Sequence, residues 1–308
     1  RFELVELVRH DHHRRRRRGD LLNLKKGSCM ERKNYRIIAL DMDGTLLNDG
    51  GKVSRRSVEI INELIKNGML FTVATARSAM SAAELLKDID ISVPAVLMNG
   101  VFLFDLKNKK AVTYHEIPKD AFFAITEIFV RRNKSPFVFF YGDDGKFTIE
   151  YTDFKLPIHR DFYEKRKGKF FGEFKKVSEY EILDDMHPVF ISLSDGYDEL
   201  KPIYDAAQKI NGVTCSFYAD TYTPYWFLEI YSSKASKANG AQEVMALVGA
   251  DKIAAFGDNR NDILLFSLAD RKYAVKNAVP ELRQIADEVI GENNNDGVAE
   301  FLKKDFKA

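Results

Sequence analysis

The feature that most constrains this chain is a pair of carboxylates at the end of an apolar run. Positions 37–40 read Ile-Ile-Ala-Leu, and Asp-Met-Asp-Gly-Thr follows at positions 41–45. A short apolar, β-branched run of this kind predicts a buried strand of a parallel sheet. Open α/β sheets bind ligands at the carboxyl ends of their strands, so we expect Asp41 and Asp43 in a reaction centre.

The two carboxylates need different roles, because two ionised groups at such short range raise each other's pKa. Asp41, at the strand end, is the candidate nucleophile. It can attack a phosphorus atom, provided that a cation reduces the repulsion between the two anions. Mg²⁺, which prefers oxygen ligands, suits that task. Asp43 is the candidate general acid and base, protonating the leaving oxygen and then deprotonating water.

A second polar segment follows the strand predicted from Leu70, which is preceded by an amphipathic helix over 57–67. Thr75, Ala76 and Arg77 form this segment and are candidate phosphate-binding residues. The Thr75 hydroxyl can donate to a phosphoryl oxygen, and the Arg77 guanidinium can hold a second anionic group.

A lysine opens the helix predicted from Ser236 to about Leu247. The point charge of Lys237 and the N-terminus of that helix both favour a bound anion. Lys234 lies three residues earlier and is an alternative for the same role.

A third strand, predicted over 252–256, runs into a loop with the sequence Gly-Asp-Asn-Arg-Asn-Asp at positions 257–262. Asp258 is the candidate metal ligand there, because carboxylate oxygens suit Mg²⁺. Asn261 or Asp262 is expected either to complete the ligand shell or to orient it.

In this order, the four segments resemble the haloacid dehalogenase superfamily, and most closely its Cof-type phosphatases, over positions 36–302. The resemblance implies roles for seven positions: Asp41 as nucleophile, Asp43 as general acid and base, Thr75 and Lys237 on the phosphoryl group, Asp258 and Asp262 on Mg²⁺, and Asn99 near the substrate phosphate. It also adds the main-chain carbonyl of Asp43 to the metal ligands. Ala76 and Ala238 stand where that family often has glycine, which affects loop geometry but removes no functional group.

The spacing of the segments predicts an insertion. Asp41 and Thr75 are 34 positions apart and Lys237 and Asp258 are 21 apart, whereas 162 positions separate Thr75 from Lys237. We therefore expect an α/β fold with a Rossmann-like parallel-sheet core, formed by residues 30–115 and 232–308. The resemblance implies that the inserted domain, over residues 116–231, is an α/β cap of the C2B type.

Within the insertion, alternating apolar patterns predict helices and strands. The predicted helices cover 119–132 and 198–210, and the predicted strands cover 137–141, 146–151, 189–193, 213–218 and 225–231. Gly-Asp-Asp-Gly at 142–145 predicts a hairpin. Substrate choice is expected to reside in this cap, where aromatic side chains either stack on a leaving group or fill the cap core.

Residues 1–29 differ from the rest, with a net charge of +5 in a chain whose net charge is +1. The arginine run at 14–18 is consistent with a nucleic-acid or membrane-surface patch. We interpret residues 1–29 instead as an extension outside the fold, because short charged tails are usually disordered.

Composition favours a reducing, aqueous compartment. The two cysteines indicate no disulfide framework, and the histidines lack the spacing of a zinc site. The sequence shows no secretory signal and no membrane-spanning run, so we expect a cytoplasmic protein that does not bind a membrane. We also expect a monomer or weak dimer that does not bind nucleic acid.

These observations predict a Mg²⁺-dependent phosphatase of small phosphorylated metabolites, such as sugar phosphates, flavin mononucleotide or pyridoxal phosphate. The alternatives are a sugar phosphomutase and a non-catalytic protein that binds a phosphorylated ligand. Dehalogenase chemistry is disfavoured, because a carbon centre needs neither Asp43 nor Asp258.

Overall fold

A computed structural model describes residues 36–168, 172–220 and 223–305. The predicted extension over residues 1–29, with its arginine run and Cys29, lies outside the described residues. None of the described helices is long and apolar enough to cross a membrane.

Strands and helices alternate along most of the described chain. The strands are β1 (Arg36–Leu40), β2 (Leu70–Val73), β3 (Ala95–Leu97), β4 (Phe102–Asp105), β5 (Lys110–Tyr114), β6 (Phe137–Gly142), β7 (Phe147–Tyr151), β8 (Gly172–Lys176), β9 (Met186–Asp195), β10 (Val213–Ala219), β11 (Trp226–Ser232), β12 (Lys252–Gly257), β13 (Arg271–Val275) and β14 (Glu288–Ile290). The α-helices are α1 (Arg55–Lys66), α2 (Ala79–Leu85), α3 (Lys119–Arg131), α4 (Pro157–Arg166), α5 (Tyr197–Ala207), α6 (Lys237–Val248), α7 (Ile263–Leu268), α8 (Pro280–Ile285) and α9 (Gly297–Asp305).

A five-stranded parallel sheet forms the centre of the molecule, in the order β14-β13-β12-β1-β2. β1 lies between strands that come from distant parts of the chain, with β2 on one side and β12 on the other. The chain therefore reverses its direction of winding at β1, and such a switch point opens a crevice at the carboxyl ends of the strands. The predicted Rossmann-like core is confirmed.

The elements that position the predicted segments begin and end close to the predicted residues. α1 starts two residues earlier than expected, since the Ser54 hydroxyl accepts the N–H of Ser57 at 2.9 Å and caps the helix. β2 ends at Val73, so Thr75 lies just beyond the strand and its N–H donates to the carbonyl of Val96 at 2.9 Å.

Two further sheets form the cap side of the molecule. A small antiparallel sheet has the order β3-β4-β5, and a six-stranded sheet has the order β10-β11-β9-β6-β7-β8. The ring of Phe102 in the small sheet lies 5.3 Å from Tyr141 and 5.1 Å from Phe147 in the large one, centroid to centroid. Aromatic packing therefore joins the two sheets.

The large sheet has helices on both faces. α3 and α5 pack on one face around a core that includes Phe122, Phe140 and Leu200. α4 packs on the other face, where the Phe162 ring lies 4.5 Å from that of Phe137.

Every helix and strand predicted in the insertion is present, and the predicted hairpin joins β6 to β7. α4 and β8 were not predicted, because the segment between residues 152 and 185 is polar and lacks a clear period. The domain boundaries 30–115, 116–231 and 232–308 stay a prediction.

Candidate active site

Asp41 follows β1 directly and lies at the switch point of the central sheet. Its N–H donates to the carbonyl of Phe256 at 3.1 Å, which extends the pairing of β1 with β12 by one residue. The residue is only 6% exposed. Burial raises the pKa of Asp41, and the nearby charge of Lys237 opposes that rise. The backbone thus fixes a shielded carboxylate, as a nucleophile requires.

Lys237, the first residue of α6, connects two of the acidic side chains. Its Nζ lies 2.8 Å from Asp41 Oδ1 and 2.7 Å from Asp262 Oδ1, and the lysine is 3% exposed. Burial disfavours the ammonium charge, but the two carboxylates outweigh that effect and raise the pKa of Lys237. The alternative, Lys234, is exposed and makes neither contact in the described structure.

Asp262 is fully buried and uses both carboxylate oxygens on protein donors. Oδ1 contacts Lys237, while Oδ2 accepts the N–H groups of Asp258 at 3.1 Å and Asn259 at 3.2 Å. Of the two roles that the sequence left open, these contacts favour the orienting one for Asp262. Asn261 is exposed, beside it in the same loop.

Asp258 has a polar partner but no salt bridge within the described residues. The hydroxyl of Thr45 donates to its Oδ1 at 3.1 Å. Burial, reinforced by the charge of Asp262, raises the pKa of Asp258 to about 6. Gly44 makes the close approach possible: its φ is +72°, and a Cβ at that position would lie 2.4 Å from Asp258 Oδ2.

The donor set fits a divalent cation. Asp41, Asp258 and Asp262 each offer a carboxylate oxygen, and these three atoms lie within 4.8 Å of one another. One lysine faces three carboxylates, so the site retains negative charge, and all the donors are oxygens of the kind that Mg²⁺ prefers. Asp43 and Asn261 lie outside this group of three, and their predicted roles as ligands stay predictions.

The carboxylate of Asp43 is held by Arg77 in a bidentate ion pair. Arg77 Nε lies 2.7 Å from Oδ2 and Nη2 lies 2.6 Å from Oδ1. Arg77 also donates to the Ser81 hydroxyl at 2.8 Å, which fixes its orientation. The hydrogen bonds to Asp43 raise the pKa of Arg77. Arg77 was expected to hold an anionic group of the substrate, and in this structure it holds the candidate general acid.

The remaining phosphate-binding candidates line the same crevice edge. Thr75 is buried and its hydroxyl accepts the N–H of Arg77 at 3.2 Å, whereas Ala76 is exposed. Asn99 has a φ of +56°, and its N–H donates to the carbonyl of Thr75 at 3.0 Å. The next residue, Gly100, packs tightly against the start of α6, since a Cβ there would lie 2.2 Å from the carbonyl oxygen of Ser236.

Two functional contacts were not identified from the sequence. The first is made by Thr45, whose hydroxyl donates to Asp258 Oδ1 at 3.1 Å. Asn277 donates from Nδ2 to the carbonyl of Gly44 at 2.7 Å and so fixes the loop after β1. Asn277 follows β13, a neighbour of β12, and a polar residue at that strand end was the available signal.

Comparisons with known proteins agree with this geometry. A family model described as haloacid dehalogenase-like hydrolase matches residues 38–302. The chain is similar to a 5-amino-6-(5-phospho-D-ribitylamino)uracil phosphatase of Bacillus subtilis, with 27% identity over 280 residues that cover 90% of this chain and 99% of the relative. A phosphatase of the same description from Escherichia coli is 25% identical over 278 residues, which cover 89% and 97% of the two chains.

The fold also has a close match among solved structures. A haloacid dehalogenase-like hydrolase from Bacteroides thetaiotaomicron superposes with a TM-score of 0.68 at 20% identity, over 88% of this chain and 100% of the other. The match therefore covers the central sheet and the cap elements together.

Proposed function

Because this chain belongs to the haloacid dehalogenase-like hydrolases, we propose that it is a Mg²⁺-dependent phosphatase with Asp41 as its nucleophile. Hydrolysis of phosphoric monoesters agrees with the relatives, which are named as phosphatases. The observation that carries the assignment of Asp41 is its ion pair with Lys237 at the carboxyl end of β1. That contact opposes the rise in the pKa of Asp41 caused by burial and so favours its ionised form.

The reaction proceeds by double displacement. A carboxylate oxygen of Asp41 attacks phosphorus, the bond from phosphorus to the leaving oxygen breaks, and Asp43 transfers its proton to that oxygen. Asp43 then takes a proton from water, whose oxygen attacks the phosphorus and releases phosphate, restoring the Asp41 carboxylate. A divalent ion held by Asp41, Asp258 and the carbonyl of Asp43 would reduce the repulsion between nucleophile and substrate.

The other residues bind the phosphoryl group and orient the catalytic side chains. Thr75, Asn99 and Lys237 contact the phosphoryl oxygens, and Asp262 holds Lys237 in place. Arg77 must release Asp43 before the proton can move, because a carboxyl held by both oxygens has no access to the substrate. The phosphoryl group of the substrate, which is itself anionic, supplies that release by competing for Arg77.

The substrates we propose are small phosphorylated metabolites, with sugar and polyol phosphates first and flavin mononucleotide and pyridoxal phosphate next. The curated relatives are named for a phosphorylated ribitylaminouracil, whose leaving group combines a polyol chain with a ring. Residues 116–231 act as the cap that contacts the leaving group and excludes water.

The test is phosphate release from a panel of metabolite phosphates and one aryl phosphate, with and without Mg²⁺. We compare wild type with Asp41→Asn, and we use Asp251→Asn, an exposed aspartate in the loop after α6, as the matched control. Metal-dependent release that Asp41→Asn abolishes and Asp251→Asn retains supports the proposal. Transfer of phosphate within a sugar, with little release to water, would indicate the phosphomutase instead. Binding without turnover would indicate a phospho-ligand binding protein.

A further inference from the structure

One half of a cap-sheet face carries polar side chains that the half under α4 lacks, and these side chains range from buried to exposed. On β9 and β11, Ile191, Leu193, Leu228 and Ile230 point to the face packed by α3 and α5. Side chains alternate along a strand, so Glu229 and its cross-strand neighbours point to the opposite face.

The apolar half of that opposite face lies under α4. Phe162 packs on Phe137 of β6, and Nε2 of the buried His159 lies 2.7 Å from the carbonyl oxygen of Ser194 of β9. The half formed by β9, β11 and β10 carries polar groups beside two aromatic rings, Phe190 and Phe227. We call it the polar cap patch, and its residues are Ser192, Ser216, Tyr218, Glu229 and Tyr231.

Hydrogen bonds hold the side chains of the polar cap patch in two pairs. The hydroxyl of Tyr218 donates to Glu229 Oε1 at 2.9 Å, and the hydroxyls of Ser216 and Tyr231 lie 3.1 Å apart. In the strand register, Glu229 stands directly between Ser216 on β10 and Ser192 on β9. The Glu229 carboxyl therefore has a serine on the neighbouring strand at each side.

The polar cap patch is connected to the phosphate site by a short stretch of chain. β11 ends at Ser232, four residues before the cap of α6, and Tyr231 is the patch residue nearest to Lys237 along the chain. Tyr231 is buried and its ring stacks on Phe190 at 5.7 Å. Burial raises the pKa of the Tyr231 hydroxyl, and the hydrogen bond with Ser216 and the charge of the Lys237 ammonium oppose this rise. Glu229 follows about 7 Å further along the strand.

The charge of the polar cap patch is unbalanced. Within the described residues, Glu229 forms no salt bridge, and its hydrogen-bond partner is the neutral Tyr218. Burial raises the pKa of Glu229 to about 7. In its ionised form this carboxylate accepts hydrogen bonds from hydroxyl and N–H groups and repels a nearby anion.

We propose that the polar cap patch binds the leaving group of the substrate and that Glu229 determines its class. The leaving group is a neutral chain or ring rich in hydroxyl or N–H donors, and one with a second anionic group at this position is rejected. This inference rests on the proposed phosphatase function, because it assigns the cap side of the same site.

The first test compares turnover of three substrates: a hexose 6-phosphate, a hexose 1,6-bisphosphate and an aryl phosphate without hydroxyl groups. For Glu229→Ala, we expect the ratio of kcat/KM for the hexose monophosphate to that for the aryl phosphate to fall about 10- to 100-fold, since a lost hydrogen bond to a buried carboxyl has that effect. Glu229→Gln should restore much of the ratio but weaken the discrimination against the bisphosphate. Glu127→Gln, an exposed residue of α3, is the matched control and should keep both ratios.

The second test measures binding and separates this inference from the phosphatase proposal. The dissociation constant of the hexose 6-phosphate is measured by calorimetry for Asp41→Asn with and without Glu229→Ala, and inorganic phosphate serves as the reference ligand. If the double variant binds the hexose phosphate more weakly but inorganic phosphate equally well, the role of Glu229 is supported. An inactive wild type would overturn only the phosphatase proposal and would leave this result standing. If Glu229→Ala weakens the binding of both ligands equally, or the binding of neither, the role of Glu229 is overturned.

Discussion

At the scale of single residues, the site depends on how buried charge is balanced. Asp41 and Asp262 are almost completely buried, and Lys237 contacts both. An isolated buried carboxylate would be strongly disfavoured, so the lysine both stabilises the fold and favours the ionised form of the nucleophile. Asp258 has no such partner, and its charge is what a divalent ion would balance.

We expect Lys237→Ala to lower the free energy of unfolding by about 3 kcal/mol, because two buried carboxylates lose their cation. Phosphatase activity should also be lost. Urea unfolding measures the first effect, and Lys234→Ala is the control, which should lie within about 0.5 kcal/mol of wild type. Similar stabilities for the two variants would show that Lys237 does not balance this charge.

Metal affinity should depend on pH through Asp258. Its pKa is raised to about 6 without metal, so below that pH a proton must leave before the ion binds. Affinity for Mg²⁺ is therefore expected to fall by at least about tenfold for each unit below pH 6, because burial also raises the pKa of Asp41, the second carboxylate ligand. Calorimetric Mg²⁺ titrations between pH 5 and 8 measure this dependence. Constant affinity over that range would contradict the assignment of Asp258 as a ligand.

At the scale of elements, the site is made by loops at the carboxyl ends of β1, β2, β3 and β12, together with the start of α6. Close backbone approach holds them together: Gly44 lies against Asp258 and Gly100 against Ser236. Neither contact leaves room for a side chain. The precision of the site therefore depends on glycines as much as on charged residues.

Gly44 and Gly51 offer a matched pair for testing this packing. Both have a positive φ, +72° and +68°, but a Cβ at Gly51 would meet nothing within 4 Å. Both alanine variants carry the same backbone strain, and only Gly44→Ala displaces Asp258. We expect kcat/KM to fall at least about tenfold for Gly44→Ala relative to Gly51→Ala, since small displacements of catalytic groups have large effects on rate. Equal rates in the two variants would remove the packing argument.

The sequence predicted the strand ends well and the contacts between them less well. Apolar runs mark β1 and β12, and the polar residues after them predict what lies at the crevice. That Arg77 pairs with Asp43 could not be predicted, because the two lie 34 positions apart and the pairing depends on side-chain geometry. The polar segment containing α4 was equally hidden, since its contacts with the cap sheet are made by scattered aromatic residues.

At the scale of the whole molecule, residues of the cap affect both the stability of the fold and the choice of substrate. The face under α4 is aromatic and buried, whereas the polar cap patch places a carboxyl in a half-buried position without a cation among the described residues. Burial of this kind is unfavourable to folding once the group ionises. The cost is consistent with a functional rather than a structural role for Glu229.

The unfavourable burial of the ionised Glu229 carboxylate should make the free energy of unfolding depend on pH. Burial raises the pKa of Glu229 from 4.5 to about 7, so the folded state binds its proton more tightly than the unfolded state. This contribution to stability is complete below pH 4.5 and is lost as the pH rises to 7. Relative to Glu229→Gln, wild type should lose about 2 kcal/mol between pH 5 and pH 8. Urea unfolding of both proteins at each pH measures this loss, and a constant difference between them would contradict it.

The central claim is that turnover passes through a phosphoryl group on Asp41. The most direct measurement is mass spectrometry of the acid-quenched protein during turnover of an aryl phosphate, using Asp43→Asn so that the second step is slow. The account predicts one added phosphoryl group on the peptide that contains Asp41 and none when Asp41→Asn is also present. Turnover without a labelled protein, or a label that persists without Asp41, would contradict the account.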